Sequence, residues 1–163
     1  MKSTATDAPV LVIGYGNVLR GDDGVGWAAA RRLARRLPRR LASVLMVHQL
    51  LPELAEPISR AQRAIFIDAD HRLAPGEVCQ TAIGPLDQAG GTIGHHQSPG
   101  GLLRLARDLY GRAPAALVFS IGAANFGFRP ALSTQVRRAL PGLIRSVADA
   151  VGCREPAVER CHA

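Results

Sequence analysis

Short apolar runs alternate along this chain with stretches in which apolar residues recur at helical spacing. VLVIG (10–14), VLMVHQL (44–50), AIFIDAD (64–70) and ALVFSIG (116–122) read as strands, and a shorter one runs from Val78 to Ile83 after the turn-like APGE. Between them, Gly24 to about Leu37 reads as a helix stopped near Pro38, and PELAEPISRA (52–61) as a short helix broken or kinked at Pro57. GLLRLARDLYG (101–111) is a third helix, and Ser133 through Val151 a fourth, with an interruption expected at Pro141 and Gly142. Strands as continuously apolar as VLVIG and AIFID are buried on both faces, which is the habit of parallel sheets. The expected fold is therefore α/β, a three-layer sandwich with a mainly parallel twisted sheet flanked by helices. No internal repeat or linker divides the sequence, so residues 1–151 are expected to form one domain, and GCREPAVERCHA (152–163) a flexible C-terminal tail.

Composition narrows the classes. A chain of 163 residues can bury about two-thirds of the surface it exposes when unfolded, enough for a self-standing core. No uncharged apolar run approaches the roughly 18 residues that span a bilayer, and MKSTATDAPV lacks the pattern of a secretory signal, so a cytoplasmic location away from membranes is expected. Cys79, Cys153 and Cys161 show neither CxxC nor zinc-ribbon spacing and read as buried or incidental thiols rather than metal ligands. The net charge of +7 owes much to RRLARRLPRR (31–40). Helical spacing there stripes Val25, Ala29, Leu33 and Leu37 together and turns Arg31 and Arg35 away, which describes a solvated face or a patch that steers an acidic partner. Four phenylalanines, two tyrosines and one tryptophan are too scattered to stack a single strand of nucleic acid, and no nucleic-acid motif is present.

In an open parallel sheet, ligands gather beyond the carboxyl ends of the strands. That rule selects Tyr15 to Gly24, His48 and Gln49, the group Asp68, Asp70 and His71, and the long loop from Gly84 to Gly101. The first of these, GYGNVLRGDDG, departs from GxGxxG and lacks the Lys-Ser or Lys-Thr of a P-loop. A helix N-terminus attracts anions, but Asp22 and Asp23 already occupy this one and would repel a phosphate. One aspartate suffices for capping or loop closure, a role given to Asp22, which leaves Asp23 to project toward the crevice. Asp68 ends an apolar strand, where it is either a loop cap or a carboxylate in need of a hydrogen bond or a cation. GHHQSP supplies a histidine, His95 or His96, in a loop before a helix. Two carboxylates and an imidazole from three loops suit a divalent transition ion with positions left open for substrate. His71 is a reserve ligand and His162, in the expected tail, is discounted. Ser98 and Ser120 lack a nucleophile elbow, and Cys79 sits in an ordinary strand.

At IGYGNVLRGDDGVG the sequence resembles the hydrogenase maturation proteases, endopeptidases that remove a C-terminal extension from the large subunit of nickel-iron hydrogenases. The later order is similar too: IFIDA with Asp68, PGEV at 75–78, a histidine loop before LLRLA, then SIGAANFGFRPALSTQV, so the resemblance covers nearly all the chain. HQLLPELAE and GHHQSPGGLLRLARDLYG look most like the branch serving soluble, NAD-reducing or bidirectional hydrogenases. The resemblance implies Asp23 and Asp68 as metal-contacting and catalytic acids, Asp23 standing where several members carry Glu, and His95 as the third ligand with His96 its rival. It implies nickel supplied by the substrate rather than permanently bound, a large-subunit precursor as partner, and metal-assisted attack of water with the carboxylates orienting it. Asn17, Asp22, His48 and Gln49 are assigned to substrate contact. Val18, Leu19 and the 84–94 loop either shape the peptide groove or, for the two apolar residues, simply pack. A monomer is expected, since a large partner must reach the crevice. The alternative is a non-catalytic nucleotide- or metal-binding assembly module.

Overall fold

In β1 (Val10–Tyr15) every residue but the last is buried, and successive side chains pass to opposite faces of the sheet. Val10 and Val12 enter one apolar core and Leu11 and Ile13 another. A computed structural model describes residues 9–85 and 97–152, with the backbone alone at 160–162. The remaining strands are β2 (Ala42–Val47), β3 (Arg63–Asp70), β4 (Val78–Ile83), β5 (Ala115–Gly122) and β6 (Arg160–His162), in the order β2-β1-β3-β5-β4-β6. The first four in that row are mutually parallel; β4 runs antiparallel to β5, and β6 antiparallel to β4.

Helices cover both faces, as the two-sided burial of the strands requires. The stripes of α1 (Val25–Arg36) and α4 (Thr134–Gly152) share a core with Ile65, Ile67, Leu117 and Phe119. On the other face α2 (Ala55–Arg60) and α3 (Pro99–Tyr110) pack Ile58, Leu102 and Leu103 against Ile13 and Phe66. Phe66 and Phe119 are fully buried in different cores, and truncating either to alanine costs about 3–5 kcal/mol. The α/β sandwich expected from the alternation is what forms. No helix of the described residues is long and apolar enough to cross a membrane.

Five details differ from the sequence reading. The strand expected at VLMVHQL (44–50) begins earlier and ends earlier, at Ala42–Val47; His48 and Gln49 turn out into solvent past the last pair, Tyr15 with Val47. Pro57 breaks nothing, because it is the third residue of α2, in the turn whose amides have no intrahelical acceptor, and a one-turn 3-10 segment, Pro52–Leu54, leads into it. Pro141 does not interrupt α4: it faces solvent, while Leu140, Leu143, Ile144 and Val147 carry an unbroken apolar stripe across it. The expected loose tail holds β6, seated on the sheet edge at Val78, Cys79 and Gln80. Cys79, read as a thiol, is disulfide-bonded, and the backbone register sets it opposite Cys161.

Candidate functional site

Because α1 leaves β1 on one face and α2 enters β3 from the other, the sheet opens a crevice between β1 and β3 at their carboxyl ends. The glycines of the first loop set its floor. A Cβ on Gly26 would overlap the carbonyl oxygen of Tyr15 and lie 2.5 Å from that of Ile67, so the first turn of α1 rests directly on β1 and β3. Gly16 adopts φ +131°, and the place of its missing side chain is taken by the backbone carbonyl of Asp23. These glycines serve close packing and a sharp turn, and they draw the acidic pair back over the strand ends.

The two aspartates then separate. Asp22, fully buried, accepts hydrogen bonds from the amides of Ala124 and Asn125 through Oδ2 (2.8 and 2.9 Å) and of Ser133 through Oδ1 (2.7 Å). Its carboxylate is spent on closing the 124–133 loop against the first loop, as the loop-closure role required; the substrate contact also assigned to it is corrected, since a buried group holding three amides is not presented to a ligand. Asp23 is part-buried, receives the Asn17 amide on Oδ2 at 2.7 Å, and lines the crevice. Asn17 in turn accepts from the Leu19 amide at 2.9 Å, which fixes the loop above the acid.

Asp68 stands on the opposite wall. Residues 64, 66 and 68 of β3 share a face with 11, 13 and 15 of β1, and Gly14 pairs with Ile67, so the Tyr15 side chain falls beside that of Asp68. The Tyr15 hydroxyl and the Ala69 amide, the latter at 2.7 Å, hydrogen-bond the Asp68 carboxylate. Burial is the largest influence on it and pushes its pKa up to about 6; the two hydrogen bonds pull the other way, and the nearby Asp23 and Asp70 carboxylates add to the rise. Burial first, then the Asp68 charge, keeps the Tyr15 hydroxyl protonated well beyond the ordinary phenol range. Asp70 behaves oppositely, because the Arg72 guanidinium chelates it and lowers it. Among the described residues neither Asp23 nor Asp68 has an ion-pair partner.

The crevice encloses about 510 Å³ and is also walled by Asn17, Arg20, His48, Gln49, His71 and Phe126. Of the residues put forward from sequence, Asn17, Asp23, His48, Gln49, Asp68 and the reserve ligand His71 therefore meet at one depression. The His48 ring lies 5.2 Å from that of Trp27, whose Nε1 donates to the Val47 carbonyl at 2.8 Å. His95 and His96 lie outside the described residues. Among the residues described, no three His, Cys, Asp or Glu side chains are grouped as a metal site. Asp68 also borders a second cavity of about 750 Å³ that reaches Ser98 and Ser120. Ser98 Oγ is occupied as the N-cap of α3, accepting from the Gly101 amide at 3.0 Å. Tyr15, Arg20 and Phe126 were not singled out from sequence. For Tyr15 the signal was available: counting by two from Leu11 places it on the Asp68 face.

Fold and site together define an α/β domain with a solvent-open crevice walled by two carboxylates that form no ion pair among the described residues. No protein-family model matches the chain, and no curated sequence matches it. Solved structures do. The chain is similar to the hydrogenase maturating endopeptidase HybD from E. coli, with a TM-score of 0.68 at 19% identity over 88% of this chain and 91% of that one. It is similar to the [NiFe] hydrogenase maturation protease HycI from Thermococcus kodakarensis, with a TM-score of 0.68 at 19% identity over 90% and 94%. A hydrogenase 2 maturation peptidase from a Thaumarchaeota archaeon gives 0.66 at 23% identity over 88% and 97%. At these identities what is shared is the fold: the chain has the fold of the hydrogenase maturation proteases.

Proposed function

We propose that this chain is an endopeptidase that removes the C-terminal extension of a nickel-iron hydrogenase large-subunit precursor after nickel insertion, and that it recognises nickel carried by that substrate. The observation that carries the reading is the meeting of Asp23 and Asp68 across the crevice, neither in an ion pair among the described residues, on the fold of the maturation proteases. A desolvated carboxylate facing another carboxylate is a group whose missing partner is a positive charge. Two oxygen donors make only part of a coordination shell, which fits an ion shared with a substrate that supplies the remaining ligands. The third ligand on this reading is His95, with His96 as the rival.

The chain's own groups divide the work. Asn17 holds Asp23 in place through its amide, and Tyr15 and the Ala69 amide hold Asp68. His48 and Gln49, exposed on the rim, contact the polypeptide entering the crevice. A nickel ion carried by the substrate would be held by Asp23 and Asp68 and would supply Lewis-acid polarisation of the scissile carbonyl, toward which the two carboxylates orient a water. The test is to incubate nickel-loaded and nickel-free large-subunit precursor with the protein and read the C-terminal mass. Shortening of the loaded form alone is expected, and Asp68→Ala should abolish it while the variant remains folded. Equal cleavage of both forms, or none of the loaded one, overturns the reading.

A further inference from the structure

Beside the crevice, the first loop and the 124–133 loop are fastened together. Gly21 N–H donates to the Arg129 carbonyl (2.7 Å), Arg129 N–H to the Leu19 carbonyl (2.8 Å), and Asp22 N–H to the Asn125 carbonyl (2.8 Å). Arg20 and Arg129 form a parallel bridge, and the Asp22 carboxylate adds its three amides. On this doubly pinned ledge Phe128 is 84% exposed, Leu19 47% and Val18 37%. Core packing therefore does not account for Val18 and Leu19, and an aromatic ring presented to solvent by anchored backbone gives up little conformational entropy when a partner covers it. The flanking Arg20 and Arg129 are exposed, and neither forms an ion pair among the described residues. Arg20 and Phe126 line the crevice itself, so the ledge and the crevice are one continuous surface.

We propose that Leu19 and Phe128, flanked by Arg20 and Arg129, form a docking lip that seats an apolar residue with an acidic neighbour on the polypeptide substrate. The proposal rests on the endopeptidase reading and names the part of the surface that sets affinity. Charge decides the occupant: the crevice is acidic and receives the cation, whereas the lip is basic and apolar, so the partner segment must carry carboxylates where it leaves the crevice. A second copy of this chain would bring two like-charged arginine pairs together, which disfavours self-association through this face.

The test uses the full chain and purified nickel-loaded large-subunit precursor, with cleavage followed by mass and binding by calorimetry. Phe128→Ser and Leu19→Ser change exposed side chains and should leave the melting temperature nearly unchanged. Each should raise KM about tenfold with kcat little altered, the behaviour of an anchor in an interface. Arg20→Glu with Arg129→Glu should raise KM further and flatten its dependence on salt. Wild-type KM in all of these variants, while the parent enzyme cleaves, overturns the lip and leaves the endopeptidase reading standing. A parent that binds but does not cleave, with binding weakened by Phe128→Ser, supports the lip and overturns the endopeptidase reading. A concentration-dependent dimer abolished by Phe128→Ser overturns the lip as a substrate surface.

Discussion

Replacing Asp68 by asparagine separates what the carboxylate does to the fold from what it does in the crevice. An unfolded aspartate takes up its proton near 3.8, whereas burial holds the folded Asp68 at about 6. Between those values the folded chain binds more proton than the unfolded chain, so Asp68 makes stability fall as pH rises from about 4 to about 6 and leaves it flat and lower above. At about 1.4 kcal/mol per pH unit the ceiling on that loss is about 3 kcal/mol, and solvent reaching the open side of the crevice reduces it to about 1–3 kcal/mol. Asparagine is neutral at every pH and keeps an oxygen able to accept from Tyr15 and from the Ala69 amide. Asp68→Asn should therefore be more stable than the parent by about 1–3 kcal/mol at pH 7.5, with the gap closing at pH 4. Urea unfolding followed by circular dichroism at pH 4, 5, 6 and 7.5, with chelator present, measures it. A pH-independent gap, or a variant less stable than its parent at pH 7.5, refutes the argument that Asp68 is held against the preference of the fold. Gained stability together with lost cleavage would be the signature of a residue kept for use.

Three further outcomes follow from the same geometry. Tyr15→Phe removes a hydrogen bond that favours the ionised Asp68, so the carboxyl should titrate above about 6 by carbon-detected NMR of the metal-free protein; an unchanged value would mean that the bond is not made. Asp22→Ala leaves the Ala124, Asn125 and Ser133 amides without their acceptor and should cost about 2–4 kcal/mol in urea unfolding, with exchange protection lost first in the 124–133 loop; a loss below about 0.5 kcal/mol would contradict the loop-closing role. Gly26→Ala forces a methyl group into the Tyr15 and Ile67 carbonyls and should destabilise by about 3 kcal/mol or prevent folding, whereas Gly142→Ala, whose added Cβ meets nothing within 4 Å, should be neutral or slightly stabilising.

The elements were legible because their apolar patterns are physically forced: VLVIG, AIFID and ALVFSIG can only be buried on both faces, and the crevice rule then pointed to Asp23, Asp68, His48 and Gln49. What was not legible depended on contacts distant in sequence. Asp22 could be set apart from Asp23 as the capping or loop-closing acid, but not what it closes: the three amides it holds come from the return of residues 124–133 to the first loop. Pro141 reads as a breaker when the helix is considered alone, yet the stripe from Val136 to Val151 has a sheet to lie on, and that burial outweighs one missing hydrogen bond. β6 is three residues long in a polar stretch, and nothing in its composition announces a strand that pairs along the edge of β4.

The charge of the crevice follows from how the same architecture is filled. In a doubly wound sheet the first glycine turn and the helix behind it ordinarily present bare amides to an anion. Here the turn spends those amides internally: Asn17 N–H is taken by the Asp23 side chain, and the Arg20 and Asp23 amides by the backbone carbonyls of Asn17 and Arg20. What remains to face solvent is the Asp23 carboxylate, near the positive end of α1, where a negative charge is tolerated without a counter-ion. Asp68 has no such support. It sits on a strand end with a phenol and one amide, short of compensation for the water it has lost. A phosphate entering this crevice would meet two carboxylates as well as the Arg20 guanidinium on its wall, whereas a divalent cation would be attracted to both carboxylates. Asp23 and Asp68 thus wall the crevice, in this chain, where the architecture ordinarily turns bare amides toward an anion.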